Sequence, residues 1–146
     1  MDAAELLNGG GLFVVDTSVW WRLSVLPPEL LRPLRAATLD DRMLITPVVR
    51  MEILYSARTS AEYAAYDAEL SALRMLRNDR AVADTARSAL GELAGRSDGY
   101  HRVPTADALI AAAAAEHGAI AVLHKDGHFD RLAEVLAFES VALPVD

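Results

Sequence analysis

The chain has 146 residues, 53% hydrophobic and 24% charged, which fits one globular domain and excludes wholesale disorder. It has no cysteine, which removes disulfides, thiolate metal sites and cysteine nucleophiles. The formal charge of -7 excludes a general polyanion-binding surface, so nucleic acid would have to be met through local arginines and metal ions.

Residues 1–11 read as a flexible leader, because Asn8-Gly9-Gly10-Gly11 is hard to order. This start is acidic and lacks the basic segment of a secretory signal, and no apolar run reaches the ~18 residues of a membrane span. A cytoplasmic, reducing location is therefore expected, with no membrane partner. Leu12–Val15 is a short apolar strand, ended by Asp16-Thr17-Ser18. Trp20, Trp21 and Leu23 fall on a short helix, and Pro27-Pro28 opens another that carries Leu30, Leu31 and Leu34 on one stripe. Met43-Leu44-Ile45 is a second strand. Thr46-Pro47 then starts a helix, with threonine as cap and proline at the first helical position.

Further helices are expected over 61–76 and 81–94, with Met75–Arg77 as a short edge strand between them. Pro104-Thr105 opens an alanine-rich helix that closes at His117-Gly118. Ala119–Leu123 reads as a strand, 129–136 as a short helix and Val141–Val145 as a last strand. Residues 12–146 thus form a single domain by this reading, a three-layer α/β/α sandwich around a parallel sheet.

The acids fall in a pattern. Asp16 follows the first strand, Glu52 lies in the helix after the second, and Asp126 follows the strand at Ala119–Leu123. In a parallel sheet these positions share the carboxyl edge, where open α/β folds place ligands. Asp107 lies in the first turn of the alanine-rich helix, beside free backbone N–H groups. Each acid alone also reads as a turn, cap or first-turn charge. Together they would repel unless cations shared them, and hard oxygen ligands suit Mg²⁺ or Mn²⁺. Asp130, one turn beyond Asp126, is a candidate fifth ligand. His124 reads as a satisfied strand-end histidine and His128 as a contact to substrate or a carboxylate. Among the basic residues, Arg22 is placed near the first strand exit, and Arg50 either near the site or in an internal ion pair.

Four segments resemble the PIN-domain ribonucleases, and more narrowly the VapC-like toxins of toxin–antitoxin pairs. They are Phe13–Ser18, Ile45–Leu54, Val103–Ala112 and Ala121–Asp130, and the resemblance runs over about residues 12–145. It implies a PIN-like fold, catalytic and metal-binding roles for Asp16, Glu52, Asp107 and Asp126, and a supporting hydroxyl at Thr17 or Ser18. Where the family often has an acid or amide, this chain has His128.

The function implied is Mg²⁺- or Mn²⁺-dependent hydrolysis of RNA phosphodiesters, with structured RNA such as tRNA as substrate. A cognate antitoxin that offers a basic side chain to the acids is implied as partner. Trp20, Trp21, Tyr63 and Tyr66 supply aromatic surface for a homodimer. Competing readings are an RNA-processing nuclease that is not a toxin, a non-catalytic PIN-like binding module, and a metal-dependent phosphatase. The phosphatase pattern has a second aspartate where this chain has Ser18.

Overall fold

A computed structural model describes residues 1–144. Five strands form one sheet: β1 (Phe13–Val15), β2 (Met43–Ile45), β3 (Arg74–Met75), β4 (Ala121–His124) and β5 (Glu139–Ala142). Their order is β3-β2-β1-β4-β5, and every pairing is parallel. The apolar runs of β1, β2 and β4 are buried at every position, as expected for strands covered on both faces. The architecture is the expected three-layer α/β/α sandwich. No helix among the described residues is long and apolar enough to cross a membrane.

The helices are α1 (Ala3–Asn8), α2 (Thr17–Trp20), α3 (Pro28–Leu39), α4 (Pro47–Tyr55), α5 (Ser60–Leu70), α6 (Arg80–Arg96), α7 (Thr105–Glu116) and α8 (His128–Leu132). A 3₁₀ turn at Leu23–Val25 precedes α3. The alanines of α7 keep it slim, so that Ala108, Ile110 and Ala111–Ala114 are all buried while α7 packs against α4, α6 and α8. Thr46 caps α4 as its sequence suggests, its side chain accepting from the Val49 N–H at 3.2 Å.

Strand order places the site. The chain leaves β1 toward β2 on one side and later returns to lay β4 on the other. The carboxyl ends of β1 and β4 therefore flank the crevice where parallel sheets bind ligands. A hydrogen bond from the Asp16 N–H to the Leu123 carbonyl, 3.0 Å, ties the two strand exits together.

The expected flexible leader is instead largely a helix. Asp2 caps α1 by accepting from the Glu5 N–H at 2.8 Å, and Ala3, Leu6 and Leu7 are buried against the core. Arg42 fixes the segment further by donating to the carbonyls of Leu6, Leu7 and Gly11 at 2.9–3.2 Å. Two strands also shift. β3 is Arg74–Met75 rather than Met75–Arg77, because its register follows Leu44 and Ile45 of β2. β5 spans Glu139–Ala142, and Val145 lies outside the described residues.

Candidate metal centre

Asp16 leaves β1 and caps α2. Its Oδ2 accepts from the Ser18 N–H at 3.1 Å and the Ser18 hydroxyl at 2.5 Å. Both bonds fall on one oxygen, so Oδ1 has no hydrogen bond among the described residues. The Ser18 hydroxyl oxygen also accepts from the Lys125 N–H at 2.9 Å, joining the turn after β1 to the turn after β4. Arg22 closes the same turn, donating to the Ser18 carbonyl at 2.9 Å.

Glu52 lies exposed on α4, and its Oε1 accepts from the Thr17 hydroxyl at 2.8 Å. Thr17 itself is buried, so it offers Glu52 a fixed support from beneath. Asp126 follows β4, where its Oδ1 accepts from the His128 N–H at 3.0 Å and lies 3.5 Å from His128 Nε2. Asp107, His128 and Asp126 each offer one ligand atom, all within 4.8 Å of one another.

Asp107 shows what this convergence does to a carboxylate. It is only 7% exposed, and its Oδ2 is buried with no hydrogen-bond partner. Burial first, then the charges of Asp16, Asp126 and Glu52, push its pKa up from 3.8 to about 7. The charges of Asp16, Asp126 and Glu52 are thus all felt at Asp107. A divalent cation fits this point: it gives the orphaned oxygen a partner and offsets the repulsion. Oxygen donors with one neighbouring imidazole suit a hard or borderline ion, and no thiolate is present.

Not every candidate joins the centre. Asp130 accepts from the Ser140 hydroxyl at 2.7 Å and stands outside the ligand-forming group, so the structure gives it another partner. Arg50 takes the second of its two expected places, an ion pair. It donates to Asp67 at 2.6 Å and to the Ser71 hydroxyl at 2.8 Å, joining α4 to α5. His124 is buried and satisfied, and burial pushes its pKa down against the pull of Asp130, Asp16 and Asp126.

Sequence reasoning did not define a groove that lies outside the acidic cluster. It is apolar, about 660 Å³, and its lining includes Val19, Trp20, Leu23, Leu31, Leu34 and Leu73. Trp20 Nε1 is buried without an acceptor. The leucine stripe of α3 was visible in the sequence, but which neighbour it would leave uncovered was not.

Comparison with known proteins identifies the family of the chain. The PIN domain model matches residues 13–135. Ribonuclease VapC18 of Mycobacterium tuberculosis is 38% identical over 125 residues, covering 85% of this chain and 89% of that protein. Ribonuclease VapC51 of the same organism is 36% identical over 126 residues, covering 84% and 86%. Among solved structures, VapBC-5 of M. tuberculosis, a toxin–antitoxin family member, superposes with a TM-score of 0.62 at 26% identity, covering 92% of this chain and all of that one. DNA-bound VapBC from Salmonella typhimurium gives a TM-score of 0.70 at 21% identity, over 91% and 98% of the two chains, which supports the fold alone. With a family match over residues 13–135 and relatives at 36–38% identity, the chain belongs to the PIN domain family, in its VapC-like branch.

Proposed function

We propose that the chain is a cytoplasmic, divalent-metal-dependent endoribonuclease that serves as the toxin of a toxin–antitoxin pair. The observation that carries this reading is the buried, unpartnered Oδ2 of Asp107 at the meeting point of three other carboxylates. Its similarity to ribonucleases at 36–38% identity supports RNA as the substrate. Mg²⁺ or Mn²⁺ suits the carboxylates, and an imidazole donor at His128 favours the softer Mn²⁺.

The bound ion would supply a polarised phosphoryl oxygen and an acidified water for hydrolysis. Asp16, Asp107 and Asp126 would hold the ion in place. Glu52, exposed and steadied by Thr17, takes the proton of the attacking water. His128 completes the ligand set beside Asp126 or meets the substrate phosphate. Arg22 is held by the Ser18 carbonyl and Arg50 by Asp67, away from the acids, so neither is free to reach out to RNA.

The acidic surface favours a selective substrate, folded RNA such as tRNA, over indiscriminate binding. A cognate antitoxin is the expected partner, because several structurally similar chains come from toxin–antitoxin complexes. An apolar antitoxin helix fits the groove at Trp20 and Leu31, with a basic residue turned toward the acids. Trp21 and Tyr63 are exposed, which supports a twofold homodimer. The test is cleavage of folded RNA by purified protein in Mg²⁺, Mn²⁺ or chelator, with Asp16→Asn as control. Metal-independent cleavage, or equal cleavage by the folded variant, refutes the reading.

A further inference from the structure

The buried face of β4 carries a polar chain that the metal centre does not account for. The Asp126 N–H donates to His124 Nδ1 at 3.0 Å. His124 Nε2 lies 2.6 Å from the Ser140 hydroxyl on β5. The Ser140 hydroxyl donates to Asp130 Oδ1 at 2.7 Å. Each end fixes the middle. A backbone N–H can only donate, so Nδ1 is an acceptor and carries no proton. Ser140 spends its single hydrogen on Asp130, so its oxygen must accept from Nε2–H. The ring is therefore neutral, in one tautomer, and both its nitrogens are used.

Packing locks the ring as well as the bonds. His124 is 1% exposed and lies against Phe129, with ring centroids 4.9 Å apart. The bonds then act on Asp126 from two sides. His124 holds its backbone N–H from upstream, while the His128 N–H holds its Oδ1 from downstream. Asp126 Oδ2 has no hydrogen bond among the described residues and is left for a ligand.

We infer that His124 is a positioning residue, which through the chain Asp130–Ser140–His124 sets the Asp126 carboxylate for metal binding. This rests on the metal-dependent reading above and assigns new work to three residues outside the ligand set. Asp130 then contributes at a distance, by selecting the tautomer, rather than as a fifth ligand. Residues that orient metal ligands in this way typically tune metal affinity by ~10–100-fold.

The test uses the whole protein and Mn²⁺ as probe. Nitrogen-15 histidine spectra of the metal-free chain should show His124 as the neutral Nε2–H tautomer. Mn²⁺ titration followed by electron paramagnetic resonance should show affinity falling ~10–100-fold in His124→Phe, which keeps the ring volume but removes both bonds. His124→Asn, whose amide oxygen can replace Nδ1 as acceptor, should recover most of that loss. Ser140→Ala, half-buried and clear of the ligands, should weaken Mn²⁺ binding with an unchanged melting temperature and keeps the test decisive if His124→Phe does not fold. An Nδ1–H tautomer, or unchanged Mn²⁺ affinity in Ser140→Ala, overturns the inference. Equal losses in His124→Asn and His124→Phe overturn it too. A wild-type chain that binds no Mn²⁺ and cleaves no RNA instead defeats the metal-dependent reading, while the tautomer still reports on the chain of bonds.

Discussion

The Thr17 hydroxyl donates to Glu52 Oε1 at 2.8 Å across 35 positions of sequence, so the turn after β1 holds the acid that follows β2. The donor is buried and the acceptor exposed. Glu52 is thereby fixed at one end without being desolvated, which suits a group that must take and release a proton.

Thr17→Val should therefore lower kcat for RNA cleavage about tenfold, the lower end of what an orienting residue supplies. KM should change little, because Thr17 is buried beneath Glu52. Thr17→Ser should restore the rate. Steady-state kinetics on folded RNA checks this, and an unaffected valine variant would show that Glu52 needs no support.

Asp16→Asn should reduce cleavage by on the order of 10²–10³-fold, the scale of losing one electrostatic stabiliser. The fold should survive, since the amide oxygen can still cap α2 by accepting from the Ser18 N–H. Circular dichroism and cleavage on the same sample separate the two effects. Full activity in a folded variant would remove Asp16 from the site.

Asp107 makes the metal-free protein sensitive to pH. Its folded pKa, about 7, exceeds the ordinary 3.8, so the stability it contributes is fully present below about 3.8. That stability is lost as pH rises through about 7, where the buried group must ionise beside three other acids. In chelator, the wild type should lose urea resistance across this window relative to Asp107→Asn. Added Mn²⁺ should close the gap, because the ion binds the ionised form. A gap that is flat with pH would show that Asp107 is not strained by its neighbours.

The sheet and the acids were legible because both follow from local pattern. Phe13-Val14-Val15 and Met43-Leu44-Ile45 are apolar runs too short for helices, and an acid directly after a buried parallel strand has few places to go but the carboxyl edge. What was not legible depends on contacts distant in sequence. Leu6 and Leu7 make too weak a pattern to announce α1, which exists because it docks on α3 and because Arg42 gathers its carbonyls. The spacing from Asp126 to Asp130 suggested a shared ligand set, but β5 brings Ser140 to Asp130 from ten positions away. Arg50 found Asp67 in the same manner, seventeen positions on.

The exposed aromatic side chains lead to a statement about assembly. Trp21 is 54% exposed and Tyr63 50%, whereas Trp20 is partly buried beside the groove and Tyr66 spends its hydroxyl on Glu62 at 3.1 Å. The proposed dimer requires these groups to form one contiguous surface that meets a second copy. Sedimentation equilibrium at micromolar concentration should give a dimer, and Tyr63→Glu should shift it toward monomer. A wild-type monomer refutes the dimer.

The groove makes the antitoxin reading testable separately from catalysis. It is lined mainly by apolar side chains of α2, the 3₁₀ turn, α3 and the segment after α5. An amphipathic helix would fill the apolar groove with its own apolar face. Leu31 lines this groove and lies on α3, which carries none of Asp16, Glu52, Asp107 and Asp126. Leu31→Glu should therefore release the cognate antitoxin from a co-purified complex, yet leave RNA cleavage by the free chain intact. If, as proposed, a basic residue of the partner enters the acidic cluster, the wild-type complex should be inactive, and excess Mn²⁺ should compete with that residue and restore part of the activity. Binding that survives Leu31→Glu would place the partner elsewhere. A cognate antitoxin that neither binds nor suppresses cleavage would refute the toxin assignment, and the nuclease reading would then stand or fall on Asp16 and Asp107 alone.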